Sequence, residues 1–146
     1  VSQLVLIADA LAASLGDYAF TSGPQPDVKR LNWPTYDAED MRDPIIAVTA
    51  AGAVIERVDR THHQYDYQIN VFIGRHTPTE ALANEMFKLA EEMTDAIRAH
   101  VWDDMTPWPA GVTSPVTVEM ILNPDEALQD RNVWRAVVTV GYRVFR

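Results

Sequence analysis

The stretch Tyr65-Asp66-Tyr67-Gln68-Ile69-Asn70-Val71-Phe72-Ile73 decides how this 146-residue chain reads. Tyr65, Tyr67, Ile69, Val71 and Ile73 recur at every second position, with Asp66, Gln68, Asn70 and Phe72 between them. Side chains of a strand alternate between faces, so the pattern predicts a half-buried antiparallel strand with one apolar face. Just before it, residues 45–50 and 53–58 read as strand, one long piece interrupted at Ala51-Gly52 by a bulge or a turn. Asp59-Arg60-Thr61-His62-His63 lies between the two runs and suits a hairpin connection. A hairpin of this length can project beyond the body of a small domain.

After the hairpin, Thr77-Pro78-Thr79-Glu80 predicts a helix start: an N-cap, a proline at the first helical position and a glutamate for a capping box. Leu82, Met86, Leu89, Met93, Ile97 and Val101 form an apolar stripe, with Glu85, Lys88, Glu92, Asp95 and Arg98 on the other sides. This is the pattern of a helix covering a sheet, with its methionines filling the core. Beyond a loop at 102–115, Val116, Val118, Met120 and Leu122 alternate into a strand ended by Asn123-Pro124. In the last strand Trp134, Ala136, Val138, Val140, Tyr142 and Val144 share one face; Arg135, Val137, Thr139, Gly141 and Arg143 share the other. At the opposite end, Ser2 can cap a helix carrying Leu4, Ile7, Leu11 and Leu15, with Gly16 as its stop. Residues 28–33 suit a short strand closed by Pro34. The order α, β-meander, α, β, β predicts one α+β domain over 1–146, with two main helices against a mostly antiparallel sheet.

Composition narrows the function. Twelve Lys+Arg against 21 Asp+Glu give a formal charge of −9, which argues against simple electrostatic binding of nucleic acid. All the acids lie within residues 1–130, whereas residues 131–146 hold four arginines and no acid. Such an acidic body with a basic last segment suits a partner surface. With no cysteine there is no disulfide framework, thiolate metal site or cysteine nucleophile. No apolar run reaches the ~20 residues that span a bilayer. Residues 1–15 are apolar but lack a basic leader and contain Asp9, so a signal peptide is not expected.

No catalytic constellation emerges. His62, His63, His76 and His100 lack the helical i, i+4 spacing of a zinc protease. The serines sit in no strand–turn–helix elbow, and the six glycines are scattered rather than grouped in a phosphate loop. The acidic loop 37–43 lacks the alternation and central glycine of a calcium loop. The expectation is a protein without catalysis, metal or cofactor. Two interaction features remain. Arg131, Arg135, Arg143 and Arg146 mark the final strand as a candidate subunit or tube interface, at a sheet edge or under a neighbour's acidic surface, against the plain alternative of a solvent face. Trp102 and Trp108 are candidate loop anchors, either at an interface or as a lid over the core. A small-ligand or hydrolytic site beneath that loop, including His100, is a competing reading.

The layout resembles the tail-terminator or tail-completion proteins of long-tailed bacteriophages, the small proteins of the head–tail junction. The residues that carry the likeness are Leu4, Ile7 and Leu11 in the opening helix and Asp43-Pro44-Ile45-Ile46-Ala47-Val48-Thr49. They continue through Glu56-Arg57-Val58, Tyr65 to Ile73, Leu89-Ala90-Glu91-Glu92-Met93-Thr94-Asp95-Ala96-Ile97 and the two closing strands. The likeness spans nearly the whole chain. It implies a structural protein, assembled in the bacterial host cytoplasm, that forms a ring, a hexamer in this family. The ring would cap the tail tube, stop its polymerisation and offer a docking surface to the head. The implied partners are further copies of the chain, the tail tube protein and a head-completion or connector protein; DNA would pass through an acidic bore without being bound. A different head–tail connector or adaptor protein has nearly the same pattern.

Overall fold

The quoted stretch is the middle of a five-stranded sheet. The structure, a computed structural model, describes residues 2–32, 42–99, 115–122 and 133–145. Its elements are α1 (Gln3–Asp17), β1 (Asp27–Arg30), β2 (Ile45–Arg57), β3 (His63–His76), α2 (Glu80–Arg98), β4 (Pro115–Leu122) and β5 (Val133–Phe145). The strands lie in the order β1-β2-β3-β5-β4. All neighbours are antiparallel except β1 and β2, which are parallel. The architecture is the α+β arrangement that the alternation predicts.

The alternation along β3 and β5 turns one face of the sheet under the two helices, whereas the first half of β2, Ile45 to Thr49, is buried on both faces. Ile46, Val48, Ile69, Val71, Ile73, Ala136, Val138 and Val140 meet Ile7, Leu11 and Leu15 from α1 and Met86, Leu89, Met93 and Ile97 from α2. Each fully buried aliphatic side chain stabilises the fold by about 1.5–3 kcal/mol relative to exposure. Phe87 of α2 closes edge-on over Trp134, with ring centroids 5.2 Å apart. β2 carries its irregularity between Ala50 and Gly52, a bulge rather than a turn, so the strand continues unbroken to Arg57.

Four local expectations change. Gly16 does not stop α1: the helix runs to Asp17, and the Tyr18 backbone N–H donates to the Ser14 carbonyl at 3.1 Å. Gly16 faces β1 instead, where an added Cβ would sit 4.0 Å from Val28 Cβ. The α2 cap lies two residues later than Thr77: Thr79 is extended, and its hydroxyl accepts the Leu82 N–H at 3.3 Å. Pro78 therefore precedes the cap and Glu80 opens the helix, where its charge suits the helix dipole. The first strand spans Asp27–Arg30 instead of 28–33. The final strand is not an edge: β3 and β4 flank it on both sides.

One carboxylate ties the loop after α1 to α2. Glu92 accepts hydrogen bonds from the Thr21 N–H (2.6 Å), the Ser22 N–H (3.2 Å), the Thr21 hydroxyl (3.1 Å) and the Ser22 hydroxyl (3.0 Å). Burial alone would raise the Glu92 pKa; these donors outweigh it and hold the carboxyl below its ordinary value.

Candidate assembly surface

The face of the sheet turned away from the helices carries the arginines of the last strand. Arg143 stands opposite Asp66 on β3, and its Nε lies 2.8 Å from Asp66 Oδ1. The guanidinium lowers the Asp66 pKa, against a smaller opposing effect of burial, and Gln64 Nε2 adds a donor at 2.9 Å. The same contact raises the Arg143 pKa. Arg143 thus points to solvent with its charge already matched within the chain. Arg135 lies further along the strand, half-buried, with its guanidinium carbon 4.5 Å from the centroid of the Phe72 ring. The alternating arginines share a face as predicted, but each is tied to a residue of β3. Arg131, Arg146, Trp102 and Trp108 lie outside the described residues, as do His100 and Val101, the last residue of the predicted α2 stripe.

Between Arg143 and the β4 edge the sheet forms a depression of about 180 Å³, lined by Val54, Asp66, Gln68, Val116, Thr117, Gly141 and Arg143. Its floor exists because Gly141 has no side chain: a Cβ there would collide with the Thr117 hydroxyl. This volume is below the ~300–1,000 Å³ of small-molecule sites. A wider, more polar depression of about 430 Å³ lies over Tyr18, Thr21, Ser22, Lys88, Glu91, Glu92 and Asp95. Its best-placed carboxylate, Glu92, is occupied in holding the loop. Among the described residues no group of three His, Asp or Glu side chains could hold a metal ion. His62 lies 3.1 Å from Asp59 at the hairpin tip. Asp59 also accepts the Thr61 and His62 N–H groups, both at 2.8 Å, and the Thr61 bond foremost lowers its pKa to about 2. That cluster clamps a turn.

What sequence reasoning missed is apolar exposure. Val54 (50%), Ile55 (57%) and Val58 (56%) stand in water along the outer half of β2 and its exit. Val116, Ile121 and Leu122 do the same on β4, and Phe145 at the end of β5. The signal was present in Ala53-Val54-Ile55, where apolar residues fall on both faces of one strand, a pattern that two helices on a single face cannot bury.

These features define a class: an α+β domain in which two helices cover one face of a five-stranded sheet and a long hairpin runs on with exposed apolar side chains. Within that class the chain is similar to a chain from the virion of native gene transfer agent (GTA) particle. The likeness covers 93% of this chain and 84% of that one, with a TM-score of 0.51 and 13% sequence identity, and so is one of fold. No protein family matches the sequence, nor does any curated protein.

Proposed function

We propose that this chain is a structural protein of a phage-like virion, and that it works at the head–tail junction as a ring that caps the tail tube. The observation that supports it most is the fold likeness to a virion chain across nearly the full length of both. The ring stops tube growth and offers the head a docking surface, without catalysis or cofactor. Its partners are further copies of itself, the tail tube protein and a head-completion protein. A formal charge of −9 per copy suits a ring that DNA passes through without being bound. A connector or adaptor ring at the same junction has the same support and differs in which partner it seats on. Electron microscopy of the purified protein, alone and mixed with tail tubes, separates them: the terminator forms rings seated on tube ends. Rings that ignore tube ends favour the adaptor.

A further inference from the structure

Among the described residues the sheet has two open stretches of edge of matched length. β1 pairs with β2 only as far as Arg30 opposite Val48, so among the described residues no strand covers the outer edge of 50–57. At the other end β4, 8 residues long, pairs on one side with β5 and on the other with no described strand. Native edges are guarded by charge, proline, bulges or by being very short. Each edge here carries some of these, a bulge between Ala50 and Gly52 with Glu56 and Arg57 on one and Pro115 with Glu119 on the other. Yet neither has a lysine, and Ile55 and Ile121 stand exposed at 57% and 49%.

Granting the ring proposed above, we infer that copies join head to tail by antiparallel pairing of β4 of one with residues 50–57 of the next. Strand polarity carries the inference. β2, β3, β5 and β4 alternate in direction, so β4 runs opposite to β2. A copy added by rotation in the plane of the sheet places its β2 beside β4 in the antiparallel sense, and the alternation continues without a break. Antiparallel ladders are the more stable kind. One chain supplies both unlike edges, which is what a closed heterologous ring needs.

The register agrees. Following the pairings across the sheet, Leu122 is level with Ile46 and Pro115 with Ala53. The open edge spans 50–57, so full pairing shifts the ladder by about four residues per copy of four strands, or about one residue per strand. A shear of about one per strand is that of the eight-stranded barrel whose strands tilt by about 36°, within the range closed sheets adopt.

The test uses two variants at exposed positions, Ile55→Lys and Ile121→Lys, each checked for an unchanged circular dichroism spectrum. Each kills one edge and leaves the other intact. Sedimentation of either alone is expected to show monomer where the wild type forms rings. An equal mixture is expected to give dimers and nothing larger, through the one intact edge each variant retains. Rings from either variant overturn the edge pairing while leaving the ring reading in place. Dimers from a single variant mean two-fold pairing of like edges and overturn it too, as does a mixture no larger than its components. A wild type that never associates removes the ring and the edge pairing together.

Discussion

Arg143 and Asp66 face each other across neighbouring strands, Nε to Oδ1 at 2.8 Å, on the side of the sheet the helices leave open. Their side chains remain 41% and 25% exposed, so the pair fastens β5 to the hairpin at a surface open to solvent.

Reversing one partner tests that fastening. Arg143→Glu sets two carboxylates opposite each other on adjacent strands, which destabilises a sheet. The thermal midpoint is expected to fall, and to recover when Asp66→Lys is added to the same chain. An unchanged midpoint in the single variant would show that the pair contributes nothing. Because the folded Asp66 pKa is depressed, its contribution is present above the unfolded value near ~3.9 and is lost as pH falls through the lower folded value.

Glu92 makes a second acid-sensitive contact. Glu92→Gln is expected to cost about 1 kcal/mol at neutral pH, since several donors lose a charged acceptor that water already screens in part. Its depressed pKa means the stabilisation holds above ~4.3 and fades as pH drops through the folded value. Urea titrations at pH 7 and pH 3 read this directly: the gap between wild type and variant should narrow in acid. A gap that stays constant would assign the effect to packing.

Gly141 tests close approach between β4 and β5. Gly141→Ala drives a methyl group into the Thr117 hydroxyl and is expected to cost about 1–3 kcal/mol, as overpacking does. Thr117→Ala in the same chain should recover most of it, measured as a coupling in a double-mutant cycle. Purely additive effects would contradict the contact.

Leu11 is fully buried between α1 and the sheet. Leu11→Ala is expected to cost about 2–5 kcal/mol by chemical denaturation. A loss below 1 kcal/mol would mean that α1 does not seal the core.

Much of the fold was legible because period-two alternation in β3 and β5 and the stripe of α2 each select one face. Element ends were less so. Thr77 and Thr79 are both competent caps, and only the fit of the helix to the sheet chooses the second. Gly16 resembles a stop until Val28 is packed beneath it. The candidate surface was legible only in part. The arginines of β5 were correctly placed on one face, but their pairing with Asp66 and Phe72 depends on a neighbouring strand distant in sequence. That β5 lies inside the sheet was hidden because β4, its predecessor in sequence, takes the edge.

A ring at the end of a tail tube, as proposed for this chain, has a plain hydrodynamic signature. Sedimentation velocity across a wide range of protein concentration, with and without tail tubes, reads it. A discrete closed oligomer that co-sediments with tubes is the predicted result. Monomer alone at every concentration, free and in the presence of tube ends, would contradict it.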